Sequence, residues 1–169
     1  SELGMLPTNG SRSSQPIFIT DTINETAPVF SPNGKIIYFL SDRDGKKKIW
    51  AVPSSIGTTT QIDDSRLNQT RLVSTLTVTE NRLAVGPNGT IYASSDGQIY
   101  AVDPTKPADR NFTAISDGPS DASPSVSPNG TRIAFVRARR QLWQANWLGK
   151  YASQILVSDT DIADTTWRP

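Results

Sequence analysis

Short apolar runs alternate with polar residues through most of the chain, and nearly every run stops at a glycine, proline, asparagine or aspartate. No window places apolar residues at i, i+3, i+4 and i+7 over three turns, which an amphipathic helix requires. Glutamate, a good helix former, occurs only at Glu2, Glu25 and Glu80, while serine and threonine abound. The runs are rich in β-branched and aromatic residues, which suit a pleated, half-buried surface. The pattern predicts an all-β chain.

Three of the runs share one layout. "APVFSPNGKIIYFLSD", "NRLAVGPNGTIYASSD" and "ASPSVSPNGTRIAFVR" each read as strand, turn, strand, with Pro32-Asn33-Gly34, Pro87-Asn88-Gly89 and Pro128-Asn129-Gly130 at the turns. Proline presets φ at the first turn position, asparagine tolerates the second, and glycine takes the left-handed conformation that follows. That is a type I turn with a glycine bulge, which closes a β-hairpin. A third strand follows each hairpin ("KKKIWAVP", "GQIYAVDP", "RQLWQANW"), and a fourth element precedes each ("QPIFIT", "TRLVST", "NFTAIS"). The unit is therefore expected to run outer, inner, second, third strand.

The turn prolines are 55 and then 41 residues apart, and Pro169 lies a further 41 beyond Pro128. The longer first interval comes from an expanded loop, "PSSIGTTTQIDDSRLNQT". Four strands per roughly 40–45 residues is the period of a β-propeller blade. One twisted four-stranded sheet cannot bury both faces alone, so radial stacking has to bury them. The expected fold is a β-propeller of four-stranded antiparallel blades, three complete and the first part of a fourth. Blades are expected at about 15–53, 70–104, 111–147 and, partially, 153–169, with residues 1–14 as a tail or closing segment. Phe30, Tyr38, Trp50, Tyr92, Tyr100, Phe135, Trp143 and Trp167 are expected inward, as core.

"APVFSPNGKIIYFLSDRDGKKKIWAV" resembles the TolB-like repeat, also called the WD40-like or PD40 repeat. Its usual form is Pro-x-aromatic-Ser-Pro-Asp/Asn-Gly, an apolar strand, Ser-Asp-Arg-Asp-Gly, then Ile-aromatic. Pro28, Phe30, Ser31, Pro32, Asn33, Gly34, Ser41, Asp42, Arg43, Asp44, Gly45 and Ile49 match it. The third repeat matches through Pro124, Ser127, Pro128, Asn129 and Gly130, and "TTWRP" resembles the opening of a further one. The middle repeat departs, with an unmatched Ala84 and with Gly86 in place of the serine. The resemblance implies a propeller fold and an extracytoplasmic binding role. It carries no set of functional residues across.

Composition narrows the chemistry. The chain has 169 residues, neither cysteine nor histidine, and a net charge of +1. Disulfides, thiolate and imidazole metal sites and Ser-His-Asp catalysis are thereby excluded within it. No cofactor is expected, nor a nucleic-acid partner, for which a clear basic excess is usual. No apolar segment approaches the roughly 18–20 residues of a membrane-spanning helix. Position 1 is serine, as in a processed chain or a piece of a longer one. Three routes to a closed ring follow: a longer parent chain, an N-terminal closing strand, or a second copy completing a homo-oligomer.

Candidate functional residues lie in two sets of loops that a propeller brings to one face around its channel. The outer-to-inner loops carry Asp21, Glu25, Glu80, Asp117, Asp121, Asp159, Asp161 and Asp164. The second-to-third loops carry Arg43, Lys46, Lys47, Lys48, Arg137, Arg139 and Arg140. Carboxylates near the channel ringed by cations suit a protein or peptide partner, with Asp117, Asp121, Asp159, Asp161, Arg43, Arg137, Arg139 and Arg140 as contact residues. The plainer expectation is solvated loop charge.

"SDRDG" spaces oxygen ligands as a calcium loop does but lacks the remaining ligands, and hairpin chemistry explains it as well. "RARR" is one short basic cluster and reads as a solvated hairpin end or a phosphate site. Asn-x-Ser/Thr sequons occur at Asn9, Asn24, Asn68, Asn88, Asn111 and Asn129, compatible with a secreted or cell-surface protein; the absence of cysteine points instead towards a periplasmic one. "ANWLGKYAS" places Trp147 and Tyr151 in a loop, where they pack on a neighbouring blade or stack on a sugar. Two further functions are therefore expected beside the protein-binding one: an accessory propeller of a multidomain enzyme such as a prolyl-oligopeptidase-like peptidase, and a carbohydrate-binding, lectin-like propeller.

Overall fold

The computed structural model describes residues 23–54 and 69–167, together with the backbone pairing of β1 (Gly4–Met5) with β2 (Gln15–Pro16). Three four-stranded antiparallel sheets make up the body. The first is β3 (Glu25–Phe30), β4 (Ile36–Ser41), β5 (Lys48–Pro53) and β6 (Arg71–Ser74). The second is β7 (Leu83–Val85), β8 (Ile91–Ser95), β9 (Gln98–Val102) and β10 (Phe112–Ala114). The third is β11 (Asp121–Val126), β12 (Arg132–Arg137), β13 (Gln141–Asn146) and β14 (Ser153–Val157). In each sheet the strands lie side by side in chain order. The inner strand β7 sits between β3 and β11, so the three sheets fan around a common hub.

The sheets are phased differently from the repeat. Arg71 pairs with Ala51 and Ser74 with Ile49, so "TRLVST" closes the first sheet instead of opening the second. Likewise Phe112 pairs with Val102, and Val157 with Gln141. The sheets therefore cover 25–74, 83–114 and 121–157, not the expected 70–104 and 111–147. A periodic sequence reads the same from any starting strand, whereas antiparallel pairing joins each third strand to the strand that follows it. In the expected partial fourth blade, residues 153–157 are the outer strand of the third sheet. The segment after them returns to the hub: Thr165 Oγ1 donates to Ser123 O at 2.7 Å, and Trp167 Nε1 to Ser125 O at 3.3 Å. Most of the expected tail or closing segment, most of "QPIFIT", and the expanded loop lie outside the described residues.

The Pro-Asn-Gly turns are built as their chemistry requires. Gly34 N donates to Ser31 O at 2.8 Å with φ at 69°, and Ser31 N donates to Ile36 O at 2.8 Å. Asparagine does more than tolerate its place. Asn33 Oδ1 accepts from Lys35 N at 3.1 Å and from Ser31 Oγ at 2.9 Å, and Asn129 Oδ1 accepts from Thr131 N and Ser127 Oγ in the same way.

Two cores glue the fan. Tyr38, Leu40, Ile49 and Ala51 of the first sheet meet Leu83, Ile91, Ala93 and Val102 of the second. Tyr92 and Ile99, on the opposite face of the second sheet, meet Ile133, Phe135 and Ala145 of the third. At about 25 cal/mol per Å² these apolar faces supply most of the sheet-to-sheet adhesion. Most of the expected core aromatics are buried or half-buried, but Phe30 is 53% exposed. Phe30 projects from the first sheet on the face turned away from the second, with the cluster Ile37, Phe39, Val52 and Trp50.

Candidate functional site

The hairpins joining second and third strands and the connections into the inner strands emerge at one end, as expected. At that end the sequence singles out a carboxylate and an arginine in two of the three sheets, and the fold pairs them. Arg137 Nε donates to Asp121 Oδ1 at 2.7 Å and Arg137 Nη2 to Asp121 Oδ2 at 2.9 Å, a bidentate fork. Its guanidinium lies over the Trp143 ring at 4.3 Å and the Phe135 ring at 5.6 Å. The Asp121 bond raises the Arg137 pKa above its ordinary value. Arg43 repeats the device: Nη2 donates to Glu25 Oε1 at 2.8 Å, over Trp50 at 4.9 Å and Phe39 at 5.4 Å. Burial of this guanidinium lowers its pKa more than Glu25 raises it.

These clamps divide the predicted contact residues. The Asp121 side chain is 0% exposed and also accepts from Gly118 N at 3.2 Å, so it holds Arg137 and offers nothing to solvent. Glu25, Arg43 and Arg137 are likewise turned inward. Asp117 is 97% exposed and touches Arg137 only at 3.5 Å. Asp159 is exposed beside Asp161, which meets Arg140 Nε at 3.2 Å and Arg139 Nη1 at 3.9 Å. Asp117, Asp121 and Asp161 thus each lie against a guanidinium. Asp21 lies outside the described residues.

A cleft of about 560 Å³ opens between the second and third sheets at this end. Glu80, Arg139 and Asp161 line it, with Gly97, Ser120, Ser123, Ile162 and Ala163. Its walls are strained: Ser120, Ser123 and Arg139 have φ of 59°, 51° and 64°, and neighbouring Asp96 and Ala138 are also left-handed. Residues with a Cβ hold that region at a cost of about 1–2 kcal/mol each. Main-chain bonds fasten the rim, Asp121 N to Gly97 O at 2.8 Å and Ile162 N to Arg139 O at 2.7 Å. Arg82 bridges the hub behind it, reaching Asp164 and the carbonyls of Pro124 and Thr165.

A smaller cleft of about 330 Å³ lies between the first two sheets, lined by Asn24, Thr26, Asp42, Lys47 and Asn81. Within "SDRDG", Asp42 is bonded by Asn24 Nδ2 at 2.9 Å and Asp44 by Lys48 Nζ at 2.6 Å, and these bonds lower both pKa values. Among the described residues no three acidic side chains converge on a point that could hold a metal ion. Of the sequons, Asn111 is buried, with Oδ1 accepting from Ser74 Oγ at 2.8 Å and Nδ2 donating to Val73 O at 2.7 Å. The folded chain cannot present it to a modifying enzyme.

The clamps are what sequence reasoning missed, although their signal was available. Glu25 and Asp121 both lie seven residues before a turn proline, and Phe39 and Phe135 both lie seven after one. Acid and phenylalanine thus recur at matched repeat positions, and an arginine and a tryptophan follow in both repeats at offsets that differ.

Comparison with known proteins agrees with this architecture. The structure resembles TolB from Acinetobacter baumannii with a TM-score of 0.66 and 18% identity, covering 88% of this chain and 36% of that one. It resembles a chain of a nidogen/laminin complex with a TM-score of 0.65 and 10% identity, covering 88% of this chain and 54% of that one. A puromycin hydrolase mutant complexed with PGG aligns with a TM-score of 0.60 and 16% identity, over 92% of this chain and 25% of that one. The chain thus spans about a third of the TolB structure and a quarter of the hydrolase. No curated protein matches it significantly by sequence. The TolB beta propeller domain profile, PD40, matches residues 9–169. With nearly its whole length matched, the chain belongs to the TolB β-propeller (PD40) family.

Proposed function

We propose that this chain is a non-catalytic binding module of an extracytoplasmic protein, taking a protein or peptide partner on the loop face around the hub. The observation that carries the reading is the cleft between the second and third sheets. It combines exposed Glu80, Arg139 and Asp161 with a rim held in left-handed backbone. Strain of that kind is characteristic of sites where geometry matters more than stability. Mixed charge favours a polar protein surface over nucleic acid, since Arg139 and Arg140 already face Asp161. The exposed members of the predicted set, Asp117, Asp159, Asp161, Arg139 and Arg140, are the contact residues; Asp121, Arg137 and Arg43 act by holding the loops.

The test is capture of a partner from envelope extract at low salt, then repeated with Asp117, Asp159 and Asp161 all changed to Asn. Retention should fall by about tenfold or more, as expected when several interfacial charges go. Undiminished capture by the triple variant refutes the reading. Completion of the ring by further sheets, from a parent chain or a second copy, belongs to the same proposal, and the mass in solution separates the two.

The likeness to a puromycin hydrolase supports a second reading, an accessory propeller within a multidomain peptidase. A hydrolase domain with a nucleophile elbow in the same natural polypeptide would establish it.

A further inference from the structure

The end of the body that carries the Pro-Asn-Gly turns has a chemistry of its own. It also holds the connections from third to outer strands, residues 103–111 and 147–152. Neighbouring sheets of a propeller meet through their faces, so this end stays open to solvent in a completed ring. Among the described residues it carries Lys35, Arg71, Lys106, Arg110, Arg132 and Lys150, against Asp103 and Asp109. Those two carboxylates already have partners, Lys106 at 3.4 Å and Arg110 at 3.9 Å. No ion pair among the described residues involves Lys35, Arg71, Arg132 or Lys150. Every other described carboxylate lies at the opposite loop face or at the hub. The body is therefore polarised, with its unmatched cations at one end.

The same end exposes apolar bulk. Trp147 and Leu148 are 42% and 47% exposed, and Lys150 beside them is exposed too. Their loop is firmly tied. Asn146 Oδ1 accepts from Leu148 N at 3.0 Å and Lys150 N at 2.8 Å, and Trp147 N donates to Thr131 O at 3.2 Å. The loop leans on the sheet before it. Tyr92 Oη donates to Trp147 O at 3.3 Å, and Gly149 lies so close to Ile115 O that a Cβ has no room. A following sheet would cover the other side of the third sheet, where Ala134 and Val136 stand at the repeat positions of Tyr38 and Leu40. Trp147 and Leu148 are thus displayed at the end of the body whether or not the ring is complete.

We propose that this end docks on an anionic lipid surface, with Trp147 and Leu148 entering at headgroup level. Tryptophan suits that depth, because its ring is apolar while its Nε1 stays wet. The Lys150 stem lies along apolar surroundings while its ammonium reaches lipid phosphate. Lys35 and Arg71 on the first sheet and Arg132 on the third widen the attraction across the end. A soluble polyanion would use these cations but gain nothing from Leu148. Unmatched cations around an exposed, rigid Trp-Leu tip select a lipid interface. The surface lies at the other end from the protein-binding cleft and does not depend on it.

Co-sedimentation of the whole chain with vesicles tests this, using phosphatidylcholine alone and an equimolar mixture with phosphatidylglycerol. The anionic vesicles should bind at least about tenfold more tightly. Binding should be lost in about 1 M salt, where the screening length shrinks to about 3 Å. Trp147→Ala should weaken binding by about tenfold and Trp147→Phe much less, because an aromatic ring remains. Lys35→Gln combined with Lys150→Gln should cost about fivefold for each cation removed. The variant with Asp117, Asp159 and Asp161 changed to Asn should bind vesicles undiminished, which separates this surface from the protein-binding one. Circular dichroism establishes that each variant is folded. Equal binding to the two kinds of vesicle overturns the proposal, as does no binding to the anionic ones at millimolar lipid. Unaltered binding by folded Trp147→Ala overturns it as well.

Discussion

Replacing Asp121 with alanine tests the energetic weight of the arginine clamp. The carboxylate is fully enclosed, and it accepts two hydrogen bonds from Arg137 and one from Gly118 N. Its removal leaves the guanidinium, only 14% exposed and still held over Trp143, with exposed Asp117 at 3.5 Å in place of its buried counter-charge. Breaking a buried pair by deleting one partner costs about 3–5 kcal/mol, and Arg137 can regain some water at its edge, so about 3 kcal/mol is expected here. Against a total of about 5–15 kcal/mol for a domain, that is a large fraction. Deleting exposed Asp117, 3.5 Å from the same guanidinium, should cost less than about 0.5 kcal/mol. Urea unfolding followed by tryptophan fluorescence reads both, with Trp143 as local reporter. The double variant Asp121→Ala with Arg137→Met should recover part of the loss, since no buried charge remains. A loss below about 1 kcal/mol for Asp121→Ala, or no recovery in the double variant, would refute the clamp as a stabilising unit.

Two further outcomes follow from the turns and the buried phenols. Gly34 and Gly130 both have φ of 69°, but a Cβ at Gly34 meets open space while one at Gly130 falls 2.6 Å from Pro87 Cγ. Gly34→Ala should cost about 1 kcal/mol and Gly130→Ala about 2–3 kcal/mol in the same urea assay; equal costs would show that the turns do not touch as described. Burial raises the pKa of Tyr38 and Tyr92 above the ordinary value of 10.0. The folded state then holds more protons than the unfolded one above that pH, so stability should fall as pH rises past about 10, with delayed phenolate absorbance in the folded chain. On the acid side the lowered pKa values of Asp42, Asp44 and Asp103 act oppositely. Their contribution is present above the unfolded carboxylate value and is lost as pH falls through the folded ones, below about pH 4. Thermal melts between pH 3 and 11 should therefore decline at both ends, and a flat profile would contradict both assignments.

How much was legible depends on the range of each interaction. Pro32-Asn33-Gly34 and its two copies encode a hairpin within a few residues, so strands and turns were readable. The TolB-like resemblance rests on those same residues, and the PD40 match spans them. Sheet membership was not readable, because "TRLVST" is equally good beside the strand before it or the strand after it until hydrogen-bond partners are known. Exposure at the ends of the fan was also hidden: Phe30 is equivalent in sequence to Val85 and Val126, yet only its face looks away from the neighbouring sheet. At the candidate site, loop positions were foreseen and pairing was not. Asp121 and Asp117, four residues apart and alike in sequence, differ completely in exposure because only one is within bidentate reach of Arg137.

The middle sheet explains why only two of the three sheets carry a clamp. Its second hairpin is the two-residue turn Asp96-Gly97, with φ of 47° and 78°, the left-handed pair that a tight hairpin prefers. No arginine follows Ser95, and the residues opposite one another nearby are Ala93 and Tyr100, not Phe and Trp. What stands there instead is backbone: Gly97 O accepts from Asp121 N at 2.8 Å, and a Cβ on Gly97 would lie 3.0 Å from Ser120 N. Ser120 O in turn accepts from Ala138 N at 3.1 Å. A longer hairpin with an arginine would occupy the space through which these main-chain bonds pass. The first and third sheets therefore fasten their loops internally by a charged clamp, while the second gives that up to stitch itself to the third. The candidate protein-binding cleft lies at this stitch, where the glycine and the left-handed serines let two sheets approach by backbone alone.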